Sequence, residues 1–301
     1  MPLARLLQWY ALGLWSAAAL LAYGLVQAGV RAWAAVALAL ALGPLFNGAL
    51  LAIEFITGAL CDRRSGPRLS LLAAVHVWAL ETWTWWRMFG WRMPFRAAFP
   101  EPPITPDPQR PAVLLIHGYL CNRAVWQPLI DSGLLDHCNL ATLNLEPVFG
   151  SIDDYAHVIA RAVATLRQTS GATQVTLVCH SMGGLAARAY LRQYGSGAIE
   201  RVITLATPHA GTVFARFGFG TNTRQMRPGS TYLTQLAADT APYTARFTCI
   251  GSIDDNLIVP RASVWLAGAR HMHLERVGHL SLIADSRVHA HLRALTQRVA
   301  P

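Results

Sequence analysis

Lysine is missing from the 301 residues: all 25 basic side chains are arginine, scattered against 16 acids for a formal net charge of +9. A basic chain raises nucleic acid as a partner, but no finger, helix-turn-helix or aromatic RNA-binding motif accompanies the arginines. An anionic membrane surface explains the balance more simply. No glycine-rich nucleotide loop occurs and no cysteine–histidine set has zinc spacing, so neither a cofactor nor a metal is expected. Cys61, Cys121, Cys138, Cys179 and Cys249 are odd in number and mostly lie in apolar segments. They read as small buried hydrophobes or free thiols rather than a disulfide framework. Internal repeats and low-complexity tracts are also absent.

Charge is scarcest at the front. No charged residue occurs from Leu6 to Val30, 25 residues, or from Ala32 to Ile53, 22 residues, with only Arg31 between. Each run can cross a bilayer, which takes about 20 residues. A cleaved signal peptide has a shorter apolar core and would not be followed at once by a second run. Residues 1–60 therefore read as a transmembrane hairpin, with Glu54 as an interfacial residue at the exit of the second span. Both ends of a hairpin lie on one side. They carry Arg5, Arg63, Arg64 and Arg68 against Arg31 in the turn, which puts the remainder of the chain on the cytoplasmic face. Residues 61–110 follow as a juxtamembrane segment. Trp78, Trp83, Trp85, Trp86 and Trp91 interleave there with Arg87, Arg92 and Arg96, a mixture suited either to headgroups or to a packed helix. A stiff proline-rich linker from Pro100 to Pro111 closes it.

From residue 111 to 301 the pattern changes to short apolar runs separated by helical spacings. One of these runs, Gln174 to Cys179, leads into His180-Ser181-Met182-Gly183-Gly184 and then into a helix marked by Leu185, Ala186, Ala189 and Tyr190. A serine on so tight a strand-to-helix turn needs small neighbours two residues away, because the strained backbone crowds them. Gly183 and Gly184 satisfy this. Cys179 stands where glycine is commonest. Serine before glycine is also an ordinary turn, so the reading depends on partners.

A nucleophilic serine needs a base to take its proton and an acid to orient that base, in the chain order Ser, Asp/Glu, His. Downstream, the apolar run Arg246 to Ser252 ends at Asp254 and Asp255, and the run His271 to Val277 ends at Gly278-His279. His279 is the candidate base. Asp255 is the candidate acid and Asp254 the alternative. His271 and His273 alternate along a strand, and His289 and His291 sit on a terminal helix. An oxyanion hole would come from the backbone N–H of Met182 and from that of Tyr119, in the His117-Gly118-Tyr119 loop after the strand Ala112 to Ile116.

Taken together, the HGY, CHSMGG, ATPHAGT, SIDDN and VGHLSL segments resemble bacterial lipases and esterases of the α/β-hydrolase superfamily, over about residues 111–298. The resemblance implies carboxylic-ester hydrolysis through an acyl-enzyme, often on acylglycerols, with Ser181 as nucleophile, His279 as base, Asp255 as acid and the Tyr119 and Met182 amides as oxyanion donors. Related small lipases place alanine at the position of Cys179. The Thr207-Pro208-His209-Ala210-Gly211-Thr212 segment reads equally as a structural turn or a substrate contact, and His209 stays outside the candidate catalytic set.

The expected architecture is thus an α/β-hydrolase fold preceded by two transmembrane helices. About six mostly parallel strands should lie near 112–117, 140–145, 174–179, 202–206, 246–251 and 271–277. Helices near 123–132, 152–169, 182–194 and 280–297 should cover both faces. The segment from Ala210 to Pro242, with Phe214, Phe217 and Phe219, is a candidate lid or substrate-facing loop, with ordinary core as the alternative. Expected partners are an ester or lipid substrate and the bilayer. Acyl transfer or thioester hydrolysis is the alternative chemistry, and a catalytically inactive membrane interaction protein the alternative class.

Overall fold

The computed structural model describes residues 2–62 and 70–297; Arg63, Arg64 and Arg68, which enter the charge-balance reading, lie outside them. Six strands form one sheet: β1 (Ala112–Ile116), β2 (Asn139–Thr142), β3 (Val175–His180), β4 (Ile199–Leu205), β5 (Phe247–Ser252) and β6 (Arg270–Leu274). They lie in the order β2-β1-β3-β4-β5-β6, and every neighbouring pair is parallel. Parallel order brings the carboxyl ends of all six strands to one edge of the sheet, so loops distant in sequence meet there.

The central strands are buried on both sides, and β1 shows how. Its side chains alternate across the pleat. Ala112, Leu114 and Ile116 join one cluster with Ile159 and Val163 of α4 (Ile152–Ser170) and Leu185 and Ala189 of α5 (Met182–Tyr194). Val113 and Leu115 join the other, with Trp126 and with Val288 and Leu292 of the last helix. Helix α4 starts and stops on local signals. Ser151 accepts from the Asp153 N–H at its start, Asp153 and Asp154 fall in the first turn, and left-handed Gly171 ends it. Helix α6 (Thr231–Thr240) adds Leu233 and Leu236 to the first cluster. Much of the segment expected to be a lid is therefore core, and its exposed large apolar groups are Phe217 and Phe219.

Four predicted elements end earlier or split, each for a local reason. Strand β2 stops at Thr142 because the Leu145 N–H goes to His117 Nε2 (3.0 Å) instead of continuing the ladder. Strand β6 stops at Leu274; Arg276 turns to a φ of +59° and gives its N–H to Asp254 (2.6 Å). The helix near 123–132 is a 3₁₀ turn, Arg123–Trp126, followed by Gln127–Asp131, since Pro128 cannot donate to the preceding turn. The C-terminal helix is likewise preceded by a 3₁₀ turn, Ser281–Ala284, and α7 (Ser286–Thr296) begins at Asp285, whose carboxylate accepts the Arg287 N–H (2.8 Å).

Ahead of the sheet stand α1 (Leu3–Gln27), α2 (Ala32–Cys61) and α3 (Leu71–Trp85). The first two are long and apolar enough to cross a membrane, by length and composition. Large apolar side chains face outward along both, among them Trp9, Trp15, Leu20, Trp33, Leu45 and Ile53. Their ends behave differently. Leu3 and Leu7 are buried with Met88 and Met93 in the second core cluster, and Gln8 donates to the Pro94 carbonyl (2.7 Å). Helix α3 lies along α2, where the Trp78 indole donates to the Gly48 carbonyl (2.7 Å). A π-helical turn, Trp86–Arg92, follows α3 and shares with it an open groove of about 550 Å³ lined by Trp83, Trp86, Arg87, Trp91, Arg92 and Arg96. The proline-rich stretch is pinned to the sheet: Thr105 and Asn139 exchange two hydrogen bonds (2.8 and 2.9 Å) and Glu101 pairs with Arg123.

Candidate active site

Ser181 sits between β3 and α5 with φ +54° and ψ −128°, a conformation costly for a residue with a Cβ. Three contacts hold it there. Its N–H donates to the Leu205 carbonyl of β4 (2.8 Å), and its carbonyl accepts from the Thr207 hydroxyl (2.8 Å) and the Gly184 N–H (3.1 Å). The small neighbours are required by contact. A Cβ on Gly183 would lie 2.6 Å from the Ile116 carbonyl oxygen, and one on Gly184 would lie 2.2 Å from the Thr207 hydroxyl. Gly118 is constrained by the serine itself, since a Cβ there would meet Ser181 Cβ at 2.7 Å. Cys179 keeps its Cβ because the side chain points into the first core cluster, where it is fully buried.

The loop after β5 brings Asp255 to the loop after β6, and His279 Nδ1 donates to Asp255 Oδ2 at 2.9 Å. The other carboxylate oxygen, Oδ1, accepts the N–H groups of Leu257 and Ile258, both at 2.8 Å. Asp254 is engaged elsewhere, by Arg276. Of the two neighbouring acids, the structure brings Asp255 to the histidine.

Burial alone would raise the Asp255 carboxyl, but the facing His279 and the two N–H donors outweigh it and hold it below the ordinary range. For His279 burial favours the neutral ring; the Asp255 charge and hydrogen bond, helped by Glu81 and Glu54, win, and its value is raised above 6.5. The ring nitrogen left over, Nε2, is the one able to take a proton. The His180 and His279 rings stand 4.8 Å apart at their centroids. His279 is hydrogen-bonded to Asp255 and not to the Ser181 hydroxyl.

Among the described residues the backbone N–H groups of Tyr119 and Met182 have no hydrogen-bond partner. The loop carrying Tyr119 is set by His117, whose Nε2 accepts from Leu145 (3.0 Å), leaving the proton on Nδ1 to donate to the Gly118 carbonyl (2.9 Å). Burial pushes His117 down to about 4, so it stays neutral in this role. His180 is also neutral, pushed by burial to about 3, and donates from Nε2 to the His279 carbonyl (3.2 Å). His209 is buried in the core, where its ring contacts Thr204 (3.2 Å) and Cys249 (3.7 Å). Its carbonyl accepts from buried Arg188 (3.0 Å). That is the structural-turn side of the two readings of the Thr207–Thr212 segment. His271 and His273 are exposed beside Trp265, as strand alternation predicts.

Two carboxylates were not anticipated at the site. Asn256 accepts the His279 N–H on Oδ1 (3.0 Å) and donates from Nδ2 to Glu54 of α2 (2.6 Å), so Glu54 is a contact of this loop rather than a solitary interfacial group. Glu81 of α3, only 2% exposed, accepts the N–H groups of Leu280 (2.6 Å) and Ser281 (2.9 Å). The available signal was Glu81 itself, the one carboxylate in an otherwise apolar helix, since a buried charge requires partners. No group of histidine, cysteine and carboxylate side chains able to hold a metal occurs among the described residues.

Residues 111–228 match the family model described as alpha/beta hydrolase fold. Among solved structures, the chain is similar to the mature form of the Bacillus licheniformis lipase BlEst2, with a TM-score of 0.57 and 18% identity over 65% of this chain and 96% of that one. The propeptide form of the same lipase aligns with a TM-score of 0.56 and 18% identity, over 66% of this chain and 53% of that one. With the six parallel strands and the turn at Ser181, these likenesses give the chain the α/β-hydrolase fold.

Proposed function

We propose that the chain is a membrane-anchored serine hydrolase that cleaves carboxylic esters of lipids or other medium-to-long-chain acyl groups. The observation that carries this reading is the convergence, at the carboxyl edge of one parallel sheet, of a serine at positive φ, a buried His279–Asp255 pair and two unpartnered amides. His279 Nε2 takes the Ser181 proton, Ser181 Oγ attacks the ester carbonyl, and the Tyr119 and Met182 amides hold the oxyanion. The alcohol leaves with the proton from His279. Water, deprotonated by the same ring, then releases the acid from the acyl-enzyme. Asp255 stabilises the imidazolium formed in both halves.

Two features favour an amphiphilic substrate. Phe217 and Phe219 are 79% and 76% exposed, and the Tyr119 hydroxyl exchanges hydrogen bonds with the Phe219 backbone (2.9 and 3.1 Å), so an apolar lip lies over the oxyanion loop. The second feature is the base of the hairpin, which packs beside the same sheet edge through Glu54 and Asn256. Residues 1–60 act as the anchor, 61–110 as a juxtamembrane segment with exposed Trp83 and Trp91 at headgroup level, and 111–301 as the catalytic unit. The arginine balance across the hairpin favours the cytoplasmic face for that unit.

Treating the detergent-solubilised protein with a fluorophosphonate should give one adduct, on Ser181, that is lost in Ser181→Ala and strongly slowed in His279→Ala. Mass spectrometry locates it. A well-folded protein that stays unmodified at Ser181 would refute the mechanism. The pH dependence has a definite sign. Imidazolium cannot accept a proton, and His279 sits above 6.5, so labelling and ester turnover should rise with pH along a limb whose midpoint exceeds 6.5. Asp255→Asn should lower that midpoint and cut the rate; an unchanged limb would remove His279 as the base. For orientation, Cys61 is exposed while the other four cysteines are buried. A membrane-impermeant maleimide should therefore modify the protein only after cells are permeabilised, and modification in intact cells would put the catalytic unit on the opposite face.

A further inference from the structure

The loop bearing His279 is fastened from outside the sheet. Its backbone runs Gly278-His279-Leu280-Ser281, and three successive N–H groups in it donate to side chains that do not belong to β6 or to the helix after it. His279 N–H goes to Asn256, which is itself held by Glu54 of α2. The N–H groups of Leu280 and Ser281 go to the two oxygens of Glu81, of α3. Gly278 makes room for this approach, since a Cβ there would lie 2.5 Å from Glu81 Oε2. The Gly278 N–H in turn donates to the Ser281 hydroxyl (2.9 Å) and closes the loop on itself.

A carboxylate gripping two consecutive amides fixes the position and orientation of the two peptide units that bear them, and the first of these follows directly on the His279 Cα. Burying a carboxylate is costly unless its lone pairs are used. Glu81 meets the condition with bonds of 2.6 and 2.9 Å, one to each of its two oxygens. Neither carboxylate comes from the six-stranded unit. Both are delivered by the N-terminal helices, whose own packing brings them within reach: Trp78, one turn before Glu81, is bonded to Gly48, less than two turns before Glu54.

We propose that Glu81 and Glu54 are positioning residues for the candidate base: they aim His279 by holding its loop, and so make the docking of α2 and α3 on the sheet a condition of catalysis. The proposal rests on the serine-hydrolase reading above. It goes beyond that reading by making the N-terminal helices part of the active-site frame as well as an anchor. A positional error of about 1 Å at a catalytic group can lower a rate roughly a hundredfold, so effects of about ten- to a hundredfold are expected.

The test follows fluorophosphonate labelling of the full-length protein in detergent as a progress curve. Its end point gives the fraction of chains with a competent fold, and its rate constant gives the alignment of Ser181 and His279. Glu81→Gln, with one acceptor oxygen left for two donors, should label to the wild-type end point at least about tenfold more slowly. Glu54→Leu, which leaves Asn256 unsupported, should also slow labelling. Glu54→Gln, which keeps an acceptor for Asn256, should restore it to within about threefold of wild type.

Wild-type rate constants in Glu81→Gln and Glu54→Leu would overturn the proposal, as would a lowered end point at an unchanged rate constant, the sign of a purely structural role. Should Glu81→Gln fail to fold, the Glu54 pair decides: slowing by leucine with rescue by glutamine supports positioning, and equal rates refute it. Absence of a Ser181 adduct in the wild type would instead bring down the hydrolase reading, and this proposal with it.

Discussion

The turn that carries Ser181 from β3 into α5 is the constraint on which the rest of the structure depends. A serine does not keep φ +54° unaided, and here it is held by a strand carbonyl on one side and a threonine hydroxyl on the other. Holding it requires backbone close by, and closeness removes side chains: Gly183 faces the carbonyls of Ile116 and His117, Gly184 faces Thr207, and Gly118 faces the serine itself. The result leaves the Met182 amide unpaired at the start of a helix, and among the described residues the Tyr119 amide of the loop after β1 is unpaired as well. One strained residue thus positions both the candidate nucleophile and the amide proposed to hold the oxyanion.

Electrostatics then sorts the buried histidines. His117, His180, His209 and His279 are all 5% exposed or less, and burial alone would leave each neutral and inert. Three follow that rule, and two of them serve as wedges, His117 beneath the loop that carries Tyr119 and His180 against the His279 carbonyl. Only His279 faces a carboxylate that carries two further N–H donors, so it alone is held ready to become charged. The difference between a packing histidine and a candidate base is made by Asp255 rather than by exposure.

Much of this was legible in the sequence because it is local. Apolar runs of five or six residues mark strands buried on both faces, glycines after a serine mark a tight turn, and the order Ser, Asp, His follows the carboxyl edge of a parallel sheet. The choice between Asp254 and Asp255 was not local, since it depends on which carboxylate the β6 loop approaches. Strand ends were missed where side chains capture the backbone: His117 takes the Leu145 N–H and Asp254 takes that of Arg276. Glu81 was passed over because hydrophobic pattern describes which face of a helix is buried and says nothing of the partner it is buried against. Its partner lies 199 residues away in sequence, and only the packed fold brings them together.

The most direct measurement is a high-resolution structure of the full-length protein carrying a phosphonate on Ser181. The phosphonyl oxygen should lie about 2.7–3.1 Å from the amide nitrogens of both Tyr119 and Met182, with His279 Nε2 turned toward the ester oxygen and Nδ1 still on Asp255. An adduct whose oxygen points to solvent, away from both amides, would contradict the arrangement of nucleophile and oxyanion donors described here.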